Sequence, residues 1–103
     1  MNRYLIKQAN HQDIDVDASF RISRGKKWTC RQALDNGKYR NAGWVRANDL
    51  NEVFRIGNTE PNKIHKISKF YSISCGDIIV DKETNKAWLV APVGFELIKV
   101  NAI

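Results

Sequence analysis

Residues 72–91 read SISCGDIIVDKETNKAWLVA. Gly76 and Asp77 suit a tight turn, because glycine takes positive φ and aspartate bonds nearby backbone. Ser72 and Ser74 stand just before that turn, where their hydroxyls can satisfy backbone groups. Ile78-Ile79-Val80 then enters the core as a buried strand, Lys82 to Asn85 forms a hairpin loop, and Ala87 to Ala91 returns as the partner strand. Pro92 and Gly94 interrupt the chain, and Phe95 to Val100 supplies a final strand. Successive short strands joined this way predict an antiparallel sheet. The glycine–aspartate entry into an apolar strand is also a common device of small β-barrels.

Upstream, Asn48 to Ile56 reads as a helix. Asp49 is its cap, Glu52 completes a capping-box pair, and Gly57 is the expected stop. Leu50, Val53 and Phe54 form one face that docks on the sheet. Tyr39 to Ala47 reads as a strand in which Gly43 marks a bulge or a close backbone approach. A shorter helix over residues 30–36 follows a cap at Thr29 and ends at Gly37, with Cys30, Ala33 and Leu34 on its apolar side. Arg24 to Lys27 is a turn. Phe20 and Ile22 alternate with Arg21 and Ser23 as a short half-buried strand. Asn10 to Asp17 is a loop, and residues 3–9 form a first strand. Residues 63–71 fit more than one pattern, since Ile64 and Ile67 have helical spacing while Lys63, Lys66 and Lys69 recur every third position.

These elements predict an α+β fold in one domain of 103 residues. Its antiparallel sheet of five to six strands is strongly curved or closed into a small β-barrel, with one or two short helices. The expected core is Leu5, Phe20, Ile22, Leu34, Val45, Leu50, Phe54, Ile78, Val80, Leu89 and Phe95. Two proline residues and ten aromatic ones argue against disorder. No apolar run is long enough for a membrane helix, and MNRYLIKQANHQD is too polar for a secretory signal. Cys30 and Cys75 are therefore expected as reduced thiols in a cytoplasm.

The segments S-I-S-C-G-D-I-I-V-D and A-W-L-V-A-P-V-G-F-E-L-I resemble a C-terminal signature, S-x-S-x-G-D-[IV]-[IV] followed by a hairpin and G-[FW]-E. It belongs to small uncharacterised proteins of phages, plasmids and other mobile elements. V-R-A-N-D-L-N-E-V-F-R-I-G-N, residues 45–58, resembles a helix that precedes the signature in some members. Cys75 stands where valine is expected, and residues 1–44 lie outside the resemblance. It implies a mobile-element origin and a microbial host cytoplasm, and brings no catalytic residues.

Motifs of metal or catalytic chemistry are missing from the sequence. His11, His65, Cys30 and Cys75 show no zinc-ligand spacing. Asp13, Asp15 and Asp17 alternate like the start of a calcium loop, but Ala18 and Arg24 occupy the positions that need glycine and glutamate. D-I-D-V-D then reads as an acidic loop, or as a strand with Ile14 and Val16 pointing inward. Asp77 and Glu96 are a conceivable carboxylate pair across the last strands, without a motif to support them. The expectation is no enzyme, no metal and no cofactor.

Charge is more informative. The net charge is +6. Residues 18–46 hold Arg21, Arg24, Lys26, Lys27, Arg31, Lys38, Arg40 and Arg46 against Asp35 alone, so the whole excess sits there. Phe20, Trp28, Tyr39 and Trp44 lie among these cations. Lysine and arginine bind phosphates and aromatic rings stack on unpaired bases, so the stretch predicts a nucleic-acid-binding surface made of Arg24, Lys26, Lys27, Arg31, Lys38 and Arg40. The alternative partner is an acidic host protein surface, as for an anti-defence effector that docks on a host nucleoprotein complex. Lys63, His65, Lys66 and Lys69, beside Phe70 and Tyr71, form the reserve surface. Adjacent to Thr29, Trp28 is read as leaning toward the core.

Overall fold

The computed structural model describes residues 1–102. Strand β1 (Asn2–Ala9) leads through a 3-10 turn at His11–Asp13 into helices α1 (Val16–Ser23) and α2 (Lys27–Asp35). Strand β2 (Tyr39–Ala47), helix α3 (Leu50–Thr59), a 3-10 turn at Pro61–Lys63 and the two-residue strand β3 (His65–Lys66) follow. Strands β4 (Ile78–Asp81), β5 (Lys86–Val90) and β6 (Phe95–Lys99) complete the chain.

The six strands form one antiparallel sheet in the order β3-β2-β1-β4-β5-β6. It stays open, with β3 and β6 at its edges, rather than closing into a barrel. β1 lies between β2 and β4, so the first strand organises the sheet. Side chains alternate across a strand, and here both faces are covered. Tyr4, Ile6, Val45, Ile79 and Val90 pack on Val53 and Ile56 of α3. Ala9, Ile78, Val80 and Leu89 pack on Ile22 of α1 and on Cys30 and Ala33 of α2. Burial from both sides explains why β4 reads as an unbroken apolar run.

Several expectations change. Phe20 to Ser23 is not a strand but the second half of α1. Asp15 caps this helix by accepting a 2.8 Å hydrogen bond from the Ala18 N–H, and Asp17 suits the first turn. Four alternating residues fit a helix face as well as a strand, and the aspartate cap decides between them. Ile22 is buried as expected, whereas Phe20 is 60% exposed and leaves the core. Val16 is exposed too, and Ile14 is half-buried against the α1–α2 side, so D-I-D-V-D is a helix entry. α2 begins at Lys27 rather than after Thr29, with Lys26 at its cap. α3 runs through Gly57 to Thr59. Gly57 is needed for a close approach: a Cβ there would stand 2.4 Å from Ile73 Cδ1.

Gly43 shows both predicted features. The β1–β2 register shifts opposite Ile6 and Lys7, and a Cβ on Gly43 would lie 2.6 Å from Ile64 Cγ2. Leu5, Leu34, Leu50 and Phe95 are half-buried at the margins of the two cores. Phe54 is on the exposed side of α3, meeting Phe95 edge to face at 6.5 Å.

The Gly76–Asp77 turn ties these layers together. Asp77 Oδ2 accepts hydrogen bonds from Gln8 Nε2 of β1 at 3.1 Å and from the Ser74 N–H at 3.0 Å. Tyr39 of β2 donates its hydroxyl to the Gly76 carbonyl at 2.6 Å. The Gly76 N–H donates to Val90 of β5, and the Val90 N–H returns a bond to Asp77. Gly76 has φ +97°, and a Cβ on it would stand 2.1 Å from the Ile22 carbonyl oxygen of α1. Gly76→Ala therefore meets both a disfavoured conformation and a backbone clash, at a cost above ~2 kcal/mol, or about 10 °C in Tm. Gly94, with φ +75° and open space at its Cβ position, is the control. Thermal melts should place Gly94→Ala well above Gly76→Ala, and equal melting temperatures would refute the clash.

Burial pushes the Asp77 carboxyl up from 3.8 to about 6, against the opposing effect of its Ser74 and Gln8 hydrogen bonds. The folded chain then holds this proton more tightly than the unfolded chain does. Its stability contribution falls as pH rises from about 4 to about 6, by roughly 3 kcal/mol. Asp77→Asn keeps an oxygen acceptor without the charge. Urea titrations of this variant across the same window should show that fall removed; an unaltered pH profile would exclude Asp77 as its source.

Candidate nucleic-acid interface

α1 and α2 meet at a three-residue turn, Arg24-Gly25-Lys26, and their junction forms a basic corner with two exposed rings. Asp15 starts α1, and Gly25 turns the chain at φ +70°. Ile22, Cys30 and Ala33 hold the pair on the sheet, which leaves the opposite helix faces outward. On those faces the Arg24 guanidinium lies 5.0 Å from the Phe20 ring centroid and Lys27 Nζ lies 5.5 Å from the Trp28 ring. Trp28 is 75% exposed, so the leaning of this residue toward the core is corrected. Starting the helix at Lys27 rotates Trp28 away from the face that carries Cys30 and Ala33.

The six cations expected at the site divide by what they bind. Arg24, Lys26 and Lys27 make no ion pair with any described carboxylate and stand exposed or half-buried at the corner. Arg31 pairs with Asp35 at 3.0 Å and donates to the Ile98 carbonyl of the edge strand at 2.8 Å. Lys99 reaches the same carboxylate, and Lys99 and Arg31 together hold Asp35 below its ordinary value. Arg40 donates to the carbonyls of Gln8, Ala9 and Lys69 and to Asn10 Oδ1, clasping β1 to the chain after β3. Lys38 lies apart, beside Asp13 and Asp15 in a hollow of about 240 Å³. The corner therefore retains three of the six, joined by exposed Arg21. It continues into a groove of about 380 Å³ between α2 and β6, lined by Lys27, Trp28, Leu97 and Lys99.

A second basic, aromatic surface lies on the open part of the same sheet face. Trp44 of β2 and His65 of β3 are ladder partners whose rings stack at 4.1 Å and 11°. The Arg3 guanidinium is 5.7 Å from the Trp44 centroid. The charge count singles out Trp44 and Arg46, and the reserve surface holds His65, but Arg3, Lys7 and Lys82 come from β1 and from the turn after β4. Strand register alone brings them together. The rest of the reserve surface splits: Lys69 and Arg40 flank the exposed Tyr71 ring at 5.3 and 5.9 Å.

Asp77 and Glu96 do not meet, since β5 pairs Glu96 with Leu89 and Asp77 is bonded to Gln8. Among the described residues no three His, Cys, Asp or Glu side chains converge on a possible metal position, and no helix is long and apolar enough to cross a membrane. Burial raises the Cys30 and Cys75 thiols, which weakens both as nucleophiles. Compared with known protein families, curated proteins and solved structures, the chain gives no match.

Exposure of Trp28 makes its truncation a sharp probe. Trp28→Ala should change stability by no more than ~0.5 kcal/mol in chemical denaturation, as surface substitutions do. A loss of ~3 kcal/mol or more would return the ring to the core.

Proposed function

We propose that the protein is a non-enzymatic nucleic-acid-binding module of mobile-element origin whose α1–α2 corner grips the phosphate backbone. The observation that supports this most directly is the pairing of unneutralised cations with exposed rings: Arg24 over Phe20 and Lys27 over Trp28, with Lys26 between them. A solvated basic face has no need of two outward aromatic rings, whereas a nucleic-acid surface uses both components. Cations contribute affinity without reading sequence, and rings stack on any base. Binding by this corner is accordingly sequence-tolerant and salt-dependent. An acidic protein would also be drawn to the cations, and it is the partner indicated if oligonucleotides fail.

Titration of labelled oligonucleotides across salt tests the reading. Three phosphates neutralised on duplex DNA give a slope of log K against log salt near −2.7. Charge reversal at Arg24, Lys26 and Lys27 should abolish that slope and most of the affinity while leaving the melting temperature unchanged. Absence of binding by the unaltered protein at low salt would reject the function.

A further inference from the structure

On the sheet face, Trp44 and His65 form a two-ring stack, with one hollow beside Trp44 and a second that runs from His65 round the sheet edge to α3. The first, about 250 Å³, has Leu5 and Trp44 as its apolar lining and Arg3 and Lys82 as its charged lining. The second, about 320 Å³, opens toward α3, where Val45, Arg55 and Ile56 join Arg46, Lys63 and His65. Its one carboxylate, Glu52, accepts the Asn48 N–H at the start of α3, while Arg55 and Lys63 are paired with Glu60. Arg3, Arg46 and Lys82 have no such partners among the described residues. Lys7, also on this face, donates to Asn41 Oδ1 at 3.0 Å. Burial and the nearby Lys82 both lower its affinity for a proton, so a bound anion would relieve a repulsion that the chain leaves uncompensated.

We infer that the Trp44–His65 stack is a binding site for single-stranded nucleic acid, which places unpaired bases against the rings and its phosphates along Arg3, Lys7, Arg46 and Lys82. This deepens the nucleic-acid reading and rests on it for the class of partner, but it uses a different surface. Charge and shape select the occupant. A duplex keeps its bases stacked inside and offers only phosphates, which have no use for a stacked ring pair. An acidic peptide would meet the cations but not the exposed planar face of His65. A single strand satisfies both, since each base has a π-face and each linkage a charge. The site is built on neighbouring strands, so the spacing of the rings is set by the sheet ladder.

Ring and charge variants separate this site from the helical corner. Trp44→Leu keeps apolar bulk without the indole face, and His65→Ala alters an exposed residue on a two-residue edge strand. Each should weaken binding of a labelled thymidine single strand by about five- to 150-fold, the equivalent of ~1–3 kcal/mol for one stacked base. Neither should change affinity for a duplex of equal length. Arg3→Glu with Lys82→Glu should weaken single-strand binding and flatten its salt dependence. If Trp44→Leu fails to fold, His65→Ala and the charge pair carry the test alone. Single-strand affinity equal to wild type in every folded variant would overturn the platform. If charge reversal at the helical corner then still abolished binding, the proposed function would survive without it. Loss confined to the platform variants would uphold the platform and exclude the corner. Failure of the unaltered protein to bind either nucleic acid would overturn both.

Discussion

The carboxylate of Asp77 and the bare α-carbon of Gly76 form the constraint on which the layers of this fold depend. One oxygen of Asp77 joins β1 through Gln8 to the approach to β4 through Ser74. Gly76 admits the end of α1 so closely that the Ile22 carbonyl occupies the space of a side chain. Tyr39 adds β2 by bonding the Gly76 carbonyl. Three distant segments are thus held at one turn, and the cost is a buried carboxyl whose charge is disfavoured. The turn fixes the depth at which α1 sits on the sheet, which sets the position of the α1–α2 corner and its rings.

Burial of a sheet on both faces also decides where functional groups can be. α3 covers one side through Val53 and Ile56, while the short α1 and α2 cover only part of the other. The remainder of that second face, near β3 and the start of β1, holds Trp44, His65 and Arg3 in place of a helix. The same face thus combines a core, a helical corner and an open platform. Short helices are sufficient to protect the apolar strands, and they leave the ring-bearing part of the sheet accessible.

Legibility in the sequence followed the range of the interactions. The hairpin at residues 82–85, the bounds of β2, and the Asp49 and Glu52 cap of α3 were readable because their causes lie within a few neighbouring residues. The α+β class followed from them. α1 was misread because Phe20-Arg21-Ile22-Ser23 satisfies two periodicities, and the deciding Asp15 cap lay among aspartates that also suit a loop. Gly57 reads as a stop by position, yet Ile73, sixteen residues later, explains it. The basic and aromatic character of the α1–α2 corner was visible as clustered residues in one segment. The platform was not, since Arg3, Trp44, His65 and Lys82 acquire a common surface only through strand pairing.

Counting cations located the basic segment but not how its members are used. Arg31 and Arg40 lie in the same basic segment as Lys26 and Lys27, but their guanidinium groups are committed to carbonyls and to Asp35. Arginine suits such work because its planar fork can donate to several oxygens from a fixed position, which lysine cannot do. Those two residues protect an edge strand and fasten a long connection. Arg24, Lys26 and Lys27 at the corner, and Arg3, Arg46 and Lys82 on the sheet, have no ion-pair partner among the described residues. Each set stands beside aromatic rings: Phe20 and Trp28, which are exposed, and the half-buried Trp44 with the exposed His65. Under the proposed function, cation and ring together, rather than net charge, mark the surfaces on which an anionic polymer with planar bases would be recognised.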